Sequence, residues 1–335
     1  MIRLAIVGGG IRGRLYSRAL KDRVEIVGFA DPSEETRMVL ADAGHRTYGS
    51  HQEMLSSERP DAVIIATPDF AHREAAIASA EAGAHLMIEK PLATTLDDAA
   101  AIGDTVTACG VQAMVGFENR WNPHFLSIQD ALSNGRLGNP VSQSFTLSNT
   151  LYVPKKMLSW SSRSSPLLFL HPHTLDLAFW LSGSAPVSVY ARGHEGVLKD
   201  IGIDTWDVVH TSIRLEDDSL VDITSSWILP ESAPTVADFT YQLVTDDGSA
   251  KVDMGSQGVS ISHEAYETGW PLDREINGEP VGMAAWMAQR FIRDIQAGTQ
   301  VSPGIEAGLR VTRTLEAIER SMRTGSPVDM ETPTA

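Results

Sequence analysis

Apolar residues fall in two rhythms along the first third of the chain. Short continuous runs fit buried strands, and stretches whose apolar positions return every three to four residues fit amphipathic helices. Ile-Arg-Leu-Ala-Ile-Val at residues 2–7 predicts a strand, and Gly8-Gly9-Gly10 breaks it before a helix from Ile11 to Lys21. A second strand is expected at Val24 to Ala30, a helix from about Ser33, a short strand around Thr47, and a strand at Ala62 to Ala66 after the Arg59-Pro60-Asp61 turn. The apolar run His85 to Ile88 precedes Glu89-Lys90-Pro91. A helix at about Thr95 to Cys109 and a strand at Val111 to Phe117 follow. Alternation of this kind implies parallel strands joined by right-handed helical crossovers, a doubly wound α/β sheet of Rossmann type.

The rhythm changes after residue 120. A helix near Pro123 to Asn134 leads into period-2 segments at Val141 to Leu151, Val187 to Arg192, Trp206 to Leu215, Leu220 to Ile228, Phe239 to Thr245 and Ser249 to Val252. Tight turns at Glu216-Asp217-Asp218 and Asp246-Asp247-Gly248 suggest antiparallel hairpins, hence an α+β unit. Helices at about Met283 to Ala297 and Ile305 to Thr324 close the chain. Two domains are therefore expected, a doubly wound one over 1–120 and an α+β one over 121–335, in keeping with a length of 335 residues.

Composition narrows the function. With 42% apolar and 21% charged residues the chain reads as an ordinary globular protein. Its formal net charge of −16 disfavours nucleic acid or an anionic membrane as partner, while a small ligand can still find a local basic pocket. Cys109 is the only cysteine, so no intrachain disulfide is possible and a reducing cytoplasm is the expected compartment. The chain runs from Met1 straight into a strand with no leader pattern, and no apolar run approaches the roughly 20 residues that span a bilayer.

Gly8-x-Gly10-x-x-Gly13 lies between a strand and a helix, the context in which such glycines allow a tight turn, close approach of a pyrophosphate, and close helix–strand packing. Exposed amides at the helix start then face the phosphates. Asp31 ends the second strand, where a carboxylate accepts from the adenosine ribose hydroxyls and repels a 2′-phosphate. NAD is favoured over NADP, with Arg12 and Arg14 the residues that argue for the latter. The competing reading is a plain strand-turn-helix corner with Asp31 as a helix N-cap.

Ala66-Thr67-Pro68-Asp69-Phe70-Ala71-His72 followed by Glu89-Lys90-Pro91-Leu92 resembles the Gfo/Idh/MocA oxidoreductase family, named for glucose-fructose oxidoreductase and inositol dehydrogenase. Gly116-Phe117-Glu118-Asn119-Arg120-Trp121-Asn122-Pro123, Trp160, His173-x-x-Asp176 with Trp180-Leu181-x-Gly183, and Gly325-Ser326-Pro327-Val328 are similar to further family landmarks. The resemblance spans essentially the whole chain. It implies that the second domain is built on a large open, mainly antiparallel sheet used for dimer or tetramer assembly. It also implies hydride exchange between a sugar, polyol or related carbinol and the nicotinamide.

By motif match, Lys90 would lie beside the reacting hydroxyl and His173 would be the general base. A base near neutrality and a nearby cation suit the loss of a hydroxyl proton. The cofactor set is then Gly8, Gly10, Ile11, Arg12, Gly13, Asp31, Thr67, Pro68, His72, Glu89, Lys90 and Arg120; the substrate set is Lys90, Arg120, Trp160, His171, His173 and Asp176. Each has a plainer alternative. Lys90 follows an apolar strand at the edge where such sheets place ligands, but His72 can equally start the next helix. Arg120 can form a structural ion pair, His173 can be a buried core histidine, and Asp176 can bond to neighbouring backbone. Trp121, Trp160 and Trp286 can be packing residues. His171 and His173 would share a face of a strand, yet no cysteine or carboxylate cluster accompanies them and no metal site is expected.

The chain departs from the family at one place. Many members carry an aspartate four residues before the catalytic histidine, and here Phe169 stands there, within Ser164-Ser165-Pro166-Leu167-Leu168-Phe169-Leu170-His171. The change predicts a more apolar pocket, with His171 taking over polar work, a substrate other than an ordinary polyol, or weak hydride transfer. Two further functions stay open at this point: glycoside cleavage or elimination through transient oxidation, and dinucleotide sensing without turnover.

Overall fold

The computed structural model describes residues 1–255, 260–262, 266–268, 273–276 and 278–330. The first part runs β1 (Arg3–Val7), α1 (Ile11–Leu20), β2 (Glu25–Ala30), α2 (Glu34–Asp42), β3 (Thr47–Tyr48), α3 (His51–Glu58), β4 (Ala62–Ile65), α4 (His72–Glu81), β5 (His85–Glu89), α5 (Leu96–Cys109) and β6 (Ala113–Gly116). Its six strands lie in the order β3-β2-β1-β4-β5-β6 and every pairing is parallel. This is the doubly wound order, with the chain reversing direction across the sheet between β1 and β4. Helices cover both faces of such a sheet, so its strands bury side chains on both sides, and all four residues of β4 are fully buried.

Helix α3 has no counterpart in the sequence expectation. Only Met54 and Leu55 supply it with buried apolar side chains, and the cap of Ser50 Oγ on the Glu53 amide (3.2 Å) does more to define it than any period.

The second part runs α6 (Pro123–Ser133), β7 (Pro140–Thr150), α7 (Pro166–Phe169), α8 (His171–Ser182), β8 (Pro186–His194), α9 (Val197–Asp200), β9 (Val208–Leu215), β10 (Leu220–Leu229), β11 (Ala237–Thr245) and β12 (Ser249–Asp253). After two short hairpins, β13 (Ser260–Ser262) with β14 (Tyr266–Thr268) and β15 (Asp273–Ile276) with β16 (Glu279–Gly282), the chain forms α10 (Met283–Ala297), α11 (Ile305–Thr324) and β17 (Val328–Asp329). The seven-stranded sheet has the order β12-β11-β7-β10-β9-β8-β17. Hairpins β9–β10 and β11–β12 are antiparallel, as their turns predict. The β7–β10 pair is parallel, because the long excursion through α7, α8, β8 and β9 brings the chain back in its original direction.

By contacts the chain divides into Met1–Trp121 with Leu272–Thr312, and Asn122–Pro271 with Arg313–Ala335. The single crossing expected at 120/121 therefore becomes three. Helix α10 accounts for the return: Ala284, Met287, Ala288, Phe291 and Ile292 join Leu4, Ile6, Tyr16 and Leu20 in one apolar cluster. Its amphipathic stripe is plain in the sequence, whereas the partner of that stripe is set by packing. Among the described residues no helix is long and apolar enough to cross a membrane.

Candidate functional site

The glycine loop follows β1 at the C-terminal edge of the parallel sheet. Gly8 has φ +98°, and a Cβ there would stand 2.5 Å from the Ala66 carbonyl oxygen. At Gly13 a Cβ would stand 2.0 Å from the Gly8 carbonyl oxygen and 3.3 Å from Ile6 Cγ2, so only glycine lets α1 lie this close to β1. Gly10 differs, since a Cβ there would meet nothing within 4 Å. The first and third glycines are thus required by the protein itself, and the second leaves space. Ile11 opens α1 and is 62% exposed beside that space.

Asp31 secures the loop from β2. Its Oδ2 accepts from the Gly9 amide (2.8 Å) and its Oδ1 from the Ser33 amide (2.9 Å). Ser33 is the N-cap of α2, accepting from the Thr36 amide, so the capping role that competes for Asp31 is filled by a neighbour. Each Asp31 oxygen keeps a lone pair for a ribose hydroxyl.

Behind the loop lies a charged cluster. Tyr16 donates a short hydrogen bond to Glu89 Oε1, and Glu89 Oε2 accepts from the Lys90 amide (3.3 Å). Arg12 Nη2 lies 2.6 Å from Glu118 Oε1, with Arg12 Nε 3.8 Å from Glu89 Oε1. Burial works against the Arg12 cation, but Glu118 and Glu89 outweigh it and hold its pKa well above the usual value. Burial, then Glu89, pushes the Tyr16 phenol up, so it stays a neutral donor. Lys90 is 8% exposed at the end of β5; burial lowers its pKa, against the opposing pull of Glu89. With its guanidinium engaged by two carboxylates, Arg12 is poorly placed to receive the 2′-phosphate of NADP.

His72 is buried at the start of α4, its Nδ1 2.8 Å from the Pro91 carbonyl oxygen and its Nε2 3.2 Å from that of Thr67. Both ring nitrogens face backbone, so His72 ties the loop after β4 to the loop after β5. Burial also lowers its pKa. Thr67 and Pro68 sit in the first of those loops, where the Thr67 hydroxyl is buried and has no hydrogen-bond partner among the described residues. Arg120 is half-buried in the 3-10 turn Glu118–Trp121 that follows β6, its amide donating to the Phe117 carbonyl (3.1 Å).

In the second unit, His171 and His173 lie in the first turn of α8 and not on a strand, so residues two apart do not face each other. Among the described residues no three metal-ligating side chains cluster. His171 is fully buried, with Nε2 3.0 Å from Thr211 Oγ1 on β9, and burial, reinforced by His210, pushes its pKa down to about 3. Its Nε2 faces the sheet, while its Nδ1 is buried with no hydrogen-bond partner among the described residues. His173 is half-buried, and Asp176 is 2% exposed one turn on. Phe169 ends α7, with its ring 6.2 Å from Trp160 and 5.8 Å from Trp227, edge to face in both cases. The position read as an apolar replacement is thus the middle of an aromatic trio.

Sequence reading missed Tyr16, Glu118 and Trp227. Tyr16 sits one turn past Arg12 and Glu118 lies two residues past the buried strand β6, but no local pattern marks either as a partner of Glu89 or Arg12. Trp286 lies half-buried on α10 in the first unit.

A family model described as an oxidoreductase family with an NAD-binding Rossmann fold matches residues 2–117. The model of the GFO/IDH/MocA C-terminal domain matches residues 125–251. A 4-carboxy-2-hydroxymuconate-6-semialdehyde dehydrogenase from Sphingobium is 30% identical over 82% of this chain and 92% of that relative. Inositol 2-dehydrogenase 1 of Saccharopolyspora erythraea is 26% identical over 98% and 96%. The scyllo-inositol dehydrogenase of Lactobacillus casei, solved with bound NAD(H) and scyllo-inositol, superposes with a TM-score of 0.82 at 15% identity, covering 98% of this chain and 99% of that one.

Proposed function

The chain belongs to the Gfo/Idh/MocA family of NAD-binding oxidoreductases, and from that premise we propose that it moves a hydride between a sugar, polyol or related carbinol and NAD. The observation that carries this reading is Lys90, a lysine buried at the ligand-bearing edge of a parallel sheet, whose main-chain amide donates to the Glu89 carboxylate and whose pKa burial lowers. NAD, when bound, supplies the hydride acceptor. Gly10 leaves room for its pyrophosphate, the α1 amides and Asp31 hold its phosphates and ribose, and the unpartnered Thr67 hydroxyl offers a further polar contact.

Lys90 carries positive charge to the carbinol oxygen and stabilises the negative charge that develops there. By motif match the base that takes the hydroxyl proton is His173, with Asp176 three residues further along α8. Lys90→Ala and His173→Ala are each expected to lower turnover about a hundredfold or more while NAD affinity is kept. Normal turnover in both variants refutes the assignment. Leaving-group release without net NADH would replace dehydrogenation by transient oxidation.

We also infer that copies of the chain assemble through the exposed face of the seven-stranded sheet, where Ser144, His210, Ser212, Asp222 and Gln242 alternate with buried residues. Sedimentation of the intact protein as a monomer overturns this.

A further inference from the structure

Glu118 has one oxygen too many for the protein around it. The residue is 6% exposed, Oε1 is engaged by Arg12 at 2.6 Å, and Oε2 is buried with no hydrogen-bond partner among the described residues. A buried carboxylate oxygen left unpaired is costly, and native structures rarely keep one without a use. Its place in the fold indicates the use. Glu118 follows β6 at the C-terminal edge of the parallel sheet, the edge that also carries the glycine loop and Lys90.

In a doubly wound sheet the two halves of a dinucleotide lie on either side of the switch point. The glycine loop after β1 and Asp31 after β2 take the pyrophosphate and adenosine, so β4, β5 and β6 serve the nicotinamide half. Of the donors in that half, the carboxamide nitrogen can only donate and an ionised carboxylate oxygen can only accept. The ribose hydroxyls can do both and need no dedicated anion.

We propose that Glu118 Oε2 accepts a hydrogen bond from the carboxamide NH2 of the nicotinamide, with Arg12 fixing the carboxylate from its other oxygen. Glu118 is then a cofactor-recognition residue that distinguishes the amide from a ring substituent of similar size. The inference rests on NAD binding, and it stands or falls independently of the proposed carbinol substrate and of the roles of Lys90 and His173.

The test is calorimetric and needs no turnover: dissociation constants of the full chain for NAD and for 3-acetylpyridine adenine dinucleotide, in which a methyl group replaces the NH2. Wild type is expected to prefer NAD by at least about tenfold, as suits a charge-assisted hydrogen bond. In Glu118→Ala, NAD affinity falls by a similar factor, affinity for the analogue changes less than about twofold, and the preference disappears. Glu118→Gln keeps the size of the side chain and an oxygen for Arg12 while turning an amide toward the ligand. It abolishes the preference in the same way, and decides the matter if the alanine variant does not fold. An equal loss for both dinucleotides would assign Glu118 a purely structural role or a ribose contact and overturn the proposal. So would unchanged NAD affinity in a folded variant, or a wild type that does not discriminate.

Discussion

The glycine loop of the first unit and the α7–α8 segment of the second reach their geometry by opposite means. In the loop the backbone does the shaping: Gly8 and Gly13 are fixed by atoms that a Cβ would strike, and Asp31 fastens the Gly9 amide. In α7–α8 the side chains do it, with His171 sealed against Thr211 and Phe169 set between two tryptophans. A backbone-built site tolerates no added atom at its contact points, whereas a side-chain-built site is sensitive to charge and volume.

The sharpest contrast lies within the loop. Gly13→Val places carbon 2.0 Å from a carbonyl oxygen, and a loss of about 3 kcal/mol in stability to urea is expected, with NAD binding lost as the loop shifts. Gly10→Ala meets nothing within 4 Å, so the protein without cofactor should unfold at the same urea concentration as wild type while NAD affinity falls. Equal effects on stability would erase the distinction between a glycine the fold needs and one the ligand needs.

The α7–α8 segment should answer to pH instead. His171 has its pKa held near 3 in the folded chain, against an ordinary value of 6.5. As pH falls below 6.5 the unfolded chain takes up a proton that the folded chain refuses, so stability declines with acid through that window. By pH 5 this one residue should cost about 2 kcal/mol. Denaturation curves of His171→Gln at pH 8 and pH 5 should lack that component. A variant as acid-sensitive as wild type would show that another group carries the effect, His72 being the next candidate since its pKa is lowered in the same sense.

The smallest effect returns to the loop. Asp31→Ser removes the carboxylate that repels a 2′-phosphate, and the ratio of NADP to NAD affinity should rise about tenfold. Arg12, held by Glu118 and Glu89, is expected to contribute nothing to that change. A ratio that stays fixed would move the ribose contact away from Asp31.

Most of the Rossmann sheet was readable because its strands are continuous apolar runs and its helices keep a regular period. The exception, α3, is polar enough to hide its period. In the second unit the hairpins were readable from their turns, while the parallel β7–β10 pair was not, since no local feature records which strand a chain meets after a long excursion. The segment from Ser164 to His173 shows the limit most clearly. Its composition marked an apolar site, but only its helical form separates the buried His171 from the half-buried His173.

The amino-acid sequence by itself determined the parallel sheet, the glycine loop, Asp31 and the NAD-binding class, because each depends on residues close in the chain or on backbone constraints that a single residue type imposes. The tertiary structure decided the return of α10 to the first unit, the bond of Arg12 to Glu118, the engagement of Glu89 by Tyr16, and the aromatic trio around Phe169. Those contacts join residues far apart in the chain, and they form only where packed elements bring complementary groups within a few ångströms. The glycine motif therefore announced a dinucleotide, and the carboxylate proposed to recognise its nicotinamide end emerged only from the folded edge of the sheet.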